Sequence, residues 1–241
     1  MNKAQIRQKF VELSGRYDLV TDYYGADYTD NGADLFLQAG QRELDRMFNT
    51  PKGVGRIWDT VASGTYYMKF QECRAIQRVW INNTEKRVEL EKADYVDLKN
   101  EYNDLVASTT QNDPLWYAPA FIRAIDSTDM NATGTFFNYI VADSDSYNAI
   151  VFLPPPDEAF DVEVMGLFYS TWPSGESDTS YWMEIHPMVS IWAGLYMLEV
   201  SYRNTEGARD WMNAITLSVS GIDKDTIEEE MAQDTVLQME G

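Results

Sequence analysis

The 241-residue chain carries 39 acidic and 19 basic side chains, a net charge of −20, with 44% hydrophobic and 13% aromatic residues. Such a composition folds, with apolar surface enough for one large domain or a domain with a substantial insertion, and it excludes a disordered polyelectrolyte. Residues 151–241 hold 3 basic and 17 acidic side chains, so the Lys/Arg surface needed to grip a nucleic-acid backbone is missing; an acidic surface serves solubility, a basic partner, or a passage to which DNA must not stick.

Along the chain, Ile6, Phe10 and Leu13 at helical spacing predict a helix over 2–14, ending before Gly15. The Tyr- and Asp-rich stretch 16–30 reads as a loop. Asn31 is the expected N-cap of a second helix, with Asp34 in its first turn and Ala33, Phe36, Leu37, Gly40, Leu44, Met47 and Phe48 on its apolar face. Pro51, Gly53 and Gly55 stop it. Period-two patterning follows. Cys73 to Ile81 sets Cys73, Ala75, Gln77, Val79 and Ile81 against Arg74, Ile76, Arg78 and Trp80; the Asn82-Asn83 turn and the alternating Arg87–Glu91 run complete a hairpin. A short helix is expected at 94–105 and strands at 117–125, 135–141, 149–153 and 160–169, with Pro154-Pro155-Pro156 as an extended connector.

Helical patterning returns at Pro187, which suits a first helical position, with Ile191, Leu195, Leu198 and Tyr202 on one face. Thr205 is the expected cap of the next helix, whose apolar positions are Ala208, Trp211, Met212, Ile215 and Val219. Gly221 is expected to close it, and Asp225 with Glu228 has capping-box spacing for a separate acidic last helix. The expected fold class is therefore α+β: a helical bundle formed by the N- and C-terminal segments, 1–50 and 186–221, with an inserted antiparallel β-rich module over 51–185 and an acidic C-terminal segment over 222–241.

The chemistry-bearing residues argue against most enzyme classes. His186 is the only histidine and Cys73 the only cysteine; the first reads as a helix-start residue and the second as a buried thiol, a poor basis for a zinc site, a triad or a disulfide. The Asp27–Gly32 and Asp143/Asp145 segments lack calcium-loop spacing, and neither a phosphate-binding loop nor a dinucleotide fingerprint occurs. No catalytic residue, cofactor or metal is expected. Met1–Arg7 holds no apolar run, and the longest apolar stretch, Ile191 to Leu198, is far short of the ~20 residues of a membrane helix, so a cytoplasm-like compartment and no membrane association are expected.

The helix Phe36-Leu37-Gln38-Ala39-Gly40-Gln41-Arg42-Glu43-Leu44-Asp45, following Arg16-Tyr17-Asp18-Leu19-Val20 and Asp30-Asn31-Gly32-Ala33-Asp34, resembles the opening of head-to-tail adaptor proteins of tailed bacteriophages. So does the end, where His186-Pro187 leads a helix and Tyr202-Arg203-Asn204-Thr205-Glu206-Gly207-Ala208-Arg209-Asp210-Trp211 precedes an acidic tail. The resemblance implies a virion structural protein at the head–tail junction. Its copies would assemble, in the host cytoplasm, into a ring, commonly dodecameric, between the portal protein and tail or nozzle proteins, around a channel for passing genomic DNA. It also implies a C-terminal segment docked on the portal, with Ile222, Ile227, Met231, Val236 and Leu237 as apolar anchors. The alternative expectation is another virion module whose β-rich part binds a carbohydrate or a protein partner.

Overall fold

Hydrogen-bond capping starts the chain. In a computed structural model, which describes residues 1–24, 28–48, 53–82, 86–102, 111–119 and 148–237, Asn2 accepts from the Gln5 amide while the Gln5 side chain accepts from the Asn2 amide, opening α1 (Lys3–Ser14). Gly15, at φ 68°, closes it. The chain divides into two compact units, one of Met1–Gly53 with Tyr169–Gly241, the other of Val54–Phe168.

In the first unit α1 buries Lys3, Ile6, Arg7, Phe10 and Val11, whereas Leu13 is exposed. The expected loop at 16–30 contains a 3-10 turn at Tyr17–Leu19 and a two-residue antiparallel ribbon, β1 (Val20–Thr21) with β2 (Thr29–Asp30). Helix α2 (Ala33–Met47) is capped by neither Asn31 nor Gly32; the Asp30 carboxylate accepts from the Gly32 and Asp34 amides at 3.1 and 2.9 Å, and Asn31 donates to the Asp18 carbonyl instead. Late in the chain come α4 (Tyr181–Ile185) and α5 (Pro187–Ser201), the latter with Pro187 in its first turn. Helix α5 buries Val189, Ile191, Ala193, Gly194, Leu195 and Leu198, an apolar coat suited to a central helix. Tyr202, expected on its apolar face, is its exposed C-cap.

The last helix corrects the expected C-terminal break. Helix α6 runs unbroken over Thr205–Leu237, so Gly221 does not end it and Asp225 and Glu228 open no new helix. Gly221 keeps negative φ, unlike Gly15. A mid-helix glycine costs only about 1 kcal/mol against alanine, less than breaking and re-nucleating a helix within a run of Ile, Glu, Met, Ala and Gln. At the other end Asn204, not Thr205, caps α6 by accepting from the Gly207 amide at 3.3 Å.

The second unit is a pair of four-stranded sheets. In the first sheet the order is β3 (Val54–Val61), β10 (Phe160–Phe168), β5 (Cys73–Asn82), β6 (Arg87–Glu89); in the second it is β4 (Tyr67–Phe70), β9 (Asn148–Leu153), β8 (Trp116–Pro119), β7 (Glu91–Lys92). All pairings are antiparallel except β7 with β8. Val61, Val79, Ile81, Phe160, Val162 and Val164 of the first sheet and Met68, Phe70, Tyr117, Ile150 and Phe152 of the second share one core. Strand β9 is apolar on both faces, because Ala149, Val151 and Leu153 pack on the other side with Leu98 of α3 (Tyr95–Tyr102). The expected alternation of β5 fails in its middle. Register shifts against β10, between Met165 and Gly166 and between Leu167 and Phe168, break the alternation, so Cys73, Ile76, Val79 and Ile81 point inward while Ala75 and Gln77 are exposed. Strands β3 and β4 and helix α4 are additional to the expected elements; the expected strand at 135–141, the end of that at 117–125, and Asp143/Asp145 lie outside the described residues.

Helices α2 and α5 cross with backbone on backbone. A Cβ placed on Gly40 would lie 2.5 Å from the Ala193 carbonyl carbon and 2.6 Å from the Gly194 nitrogen; one on Gly194 would meet Leu37 Cδ2 at 2.8 Å and the Phe10 ring at 3.3 Å. Around Gly221 there is nothing within 4 Å. The G40A variant is therefore expected to lose about 2–3 kcal/mol or more in urea unfolding, and G221A to gain about 0.5–1 kcal/mol. A destabilised G221A would show that a glycine-dependent break, not a continuous helix, exists at that position.

Candidate functional site

Helix α6 carries all the anchors assigned to docking. Its buried residues Ile215 and Val219 pack with Leu44, Val189 and Ala193, and Ile222 lies half-buried against the same cluster. Ile222 is thus part of the chain's own packing. The backbones of Ile227, Met231, Val236 and Leu237 belong to α6, and their side chains lie outside the described set. At 3.6 residues per turn the five do not form one stripe: Ile222, Val236 and Leu237 share the face of Ile215 and Val219, while Ile227 and Met231 fall on the opposite one. On the packing face Thr226, Glu229 and Gln233 form a polar stretch between Ile222 and the Val236–Leu237 pair. At 33 residues against the 15 of α5, α6 is longer than its neighbour by about 27 Å.

Two polar clusters tie the segment 169–182 to helices of the first unit, which comprises Met1–Gly53 and Tyr169–Gly241. Arg7, 1% exposed, uses every guanidinium N–H. It donates to both Asp34 oxygens (2.7 and 2.8 Å), both Glu176 oxygens (2.8 and 2.9 Å) and the Tyr28 carbonyl (3.0 Å). Burial opposes the charge of Arg7, but the hydrogen bonds and charges of the two carboxylates outweigh it and raise its pKa above the usual arginine range. On α2, Asp45 accepts from the Trp182 indole (2.8 Å) and from the amide and hydroxyl of Ser170 (2.7 and 2.9 Å). Gln41 donates to the Ser170 carbonyl and accepts from Ser180. These contacts are made within the first unit.

The β unit presents a different surface. On the side of its first sheet away from the core, one rung reads Trp58, Glu163, Trp80, Glu89 across β3, β10, β5 and β6; the flanking rungs are Thr60, Asp161, Asn82, Arg87 and Arg56, Met165, Arg78. Trp58 is 61% exposed. Glu163 is flanked by Arg87 (2.9 Å) and Arg56 (3.6 Å), and Arg78 pairs with Glu89 (3.6 Å). The Arg56 guanidinium sits 5.3 Å from the Trp58 ring and that of Arg87 4.9 Å from the Trp80 ring. The rung ends at an open hollow of about 440 Å³ where the chain passes from β6 to β7, lined by Gln77, Arg78, Glu89, Leu90, Glu91, Lys92 and Tyr117. Alternation in Val54–Val61 was the available signal for this face, because it puts Arg56, Trp58 and Thr60 on one side.

The remaining candidates are accounted for. Asp30 caps α2, and His186 stands between α4 and α5 with Nε2 3.4 Å from the Tyr181 hydroxyl. Burial pushes the Cys73 thiol up to about 11. Among the described residues no three His, Cys, Asp or Glu side chains gather as a metal site, and no helix is long and apolar enough to cross a membrane. No protein-family model matches the chain, and no curated protein matches its sequence.

Two outcomes follow. Replacing Arg7 by Met leaves Asp34 to Lys3 and releases the half-exposed Glu176 to water, and the loss of charge-assisted hydrogen bonds is expected to cost about 2 kcal/mol in urea unfolding, with Arg7→Lys failing to rescue because a point charge cannot serve both carboxylates. A native-like midpoint in R7M would show that the cluster carries no net stability. Alkylation of Cys73 by iodoacetamide at neutral pH should run at least about a hundredfold slower in the native protein than in urea, the thiolate being scarcer and shielded; equal rates would place that strand end in solvent.

Proposed function

We propose that this protein is a structural component of a tailed-phage particle, a head-to-tail adaptor whose copies form a ring between portal and tail. In this reading the two chain ends build a helical bundle, the β-rich module is an insertion in it, and no catalysis is involved. The observation that carries the reading is α6. Its packing face is apolar through Ile222, polar at Thr226, Glu229 and Gln233, and apolar again at Val236 and Leu237, leaving a distal half patterned for a partner other than its own unit. Ile227 and Met231 among acidic residues suit a groove with apolar pockets and a basic rim, and the portal is the partner that the sequence resemblance implies.

Ring formation has its own support. Large apolar side chains stand exposed on five helices of the first unit: Leu13 of α1, Leu35 of α2 (67%), Ile185 of α4, Met188 and Val200 of α5 and Leu217 of α6 (76%). A rotationally symmetric ring needs two different faces per subunit, each covered by the other face of the next copy, and such burial would account for apolar groups a monomer leaves in water. A net charge of −20 would let DNA slide through the channel without adhering.

Native mass spectrometry of the protein mixed with the portal ring from the same genome tests this, alongside a chain truncated after Ile222 so that every described packing contact stays. One copy per portal subunit is expected for the full chain, and none for the truncated one. A full-length chain that leaves the portal ring bare would sink the adaptor reading.

A further inference from the structure

We infer that the open face of the first sheet of the β unit binds an extended, uncharged hexopyranose chain, laid across the strands along the rung Trp58, Glu163, Trp80, Glu89. This inference stands independently of the adaptor reading.

Trp58 and Trp80 flank Glu163 from the two strands beside β10, so they stand two strand spacings apart, about 10 Å. That separation matches alternate rings of an extended β-1,4-linked chain, whose C–H faces stack on indoles. Between and beside the indoles are the donors and acceptors that sugar hydroxyls need: guanidinium groups on Arg56, Arg78 and Arg87, carboxylates on Asp161, Glu163 and Glu89. The hollow beside Glu89 adds the polar side chains of Gln77, Glu91 and Lys92 and offers room for a terminal residue of the chain.

Charge balance selects the occupant. The face opposes three arginines to three acids in a chain that is otherwise strongly acidic, so a polyanion gains nothing there and a neutral ligand loses nothing. A protein hot spot buries its aromatic anchors in a dry apolar surround. Here each indole is ringed by ion pairs, and an apolar partner surface would strip water from Glu163 and its two arginines at a cost of several kcal/mol per ion. Hydroxyl groups replace that water bond for bond.

The test is calorimetric titration of the full-length protein with cellohexaose and mannohexaose, with cellobiose as the short comparator and Trp58→Ala as the variant. Trp58 is largely solvent-exposed, and an unchanged thermal melt checks that its removal spares the fold. Saturable millimolar binding of at least one hexasaccharide, weaker for cellobiose and reduced about tenfold or more by Trp58→Ala, is the expected result. Failure of both hexasaccharides to bind, or binding that Trp58→Ala does not change, overturns the inference. So does a Trp58→Ala variant that takes no part in sugar binding but alters self-association, because the face is then a protein interface.

Discussion

The crossing of α2 over α5 at Gly40 and Gly194 sets the geometry of the helical unit. With no side chain at either position the two backbones touch, and the approach brings Leu37 and Leu44 of α2 into the coat of α5. From that contact follow the positions of Phe10 on α1, which meets Gly194, and of Ile215 and Val219 on α6, which close the opposite side of α5. A helix that is apolar nearly all round must be surrounded, and α1, α2 and α6 each supply part of the cover. The glycine contact is what lets α2 approach α5 backbone to backbone.

Packing alone does not fix the chain between Tyr169 and Ser180, which has no regular structure. Its backbone polar groups are satisfied by side chains of the helices, Gln41 and Asp45 for Ser170, and by hydrogen bonds from the Lys3 and Ala4 amides to the Asp178 and Glu176 carbonyls. Arg7 supplies the charge that lets Glu176 and Asp34 approach each other. The same carboxylate of Asp34 also receives Lys3 at 3.0 Å, so two cations meet two acids and the cluster is balanced. Irregular backbone held by fully used side-chain donors is stiffer than its lack of helix suggests.

Much of this architecture was readable from periodicity: α1, α2, α5, the β5–β6 hairpin, β9 and β10 all stand where alternation or helical spacing put them. The misses have particular causes. Arg7 and Lys3 occupy the buried face of α1, and a charge on an apolar stripe announces nothing until Asp34 and Glu176, distant in sequence, are seen beside it. The bulges of β5 insert residues that invert its alternation twice, so a strict period of two assigned Ala75 and Gln77 to the wrong side. Gly221 carries the sequence mark of a helix end without the left-handed backbone that makes one. The short α4 and the segment before it are held by long-range hydrogen bonds, which leave no local pattern. Of the proposed docking residues only Ile222 has a described side chain, and it faces inward; the Trp58–Trp80 rung depends on register across three strands, which no single segment encodes.

The two surfaces proposed to meet partners obey opposite rules of desolvation. The exposed Leu, Ile, Met and Val side chains of the helical unit favour burial against any apolar surface of matching shape, and each contact removes water from groups that gain by losing it. The indole rung of the sheet is set among ion pairs that lose by it. A partner suited to one surface is therefore poorly suited to the other: a like subunit or an apolar groove for the helices, a ligand rich in hydroxyls for the sheet. Each of these surfaces belongs to a unit with a core of its own, so the two demands fall on different packing.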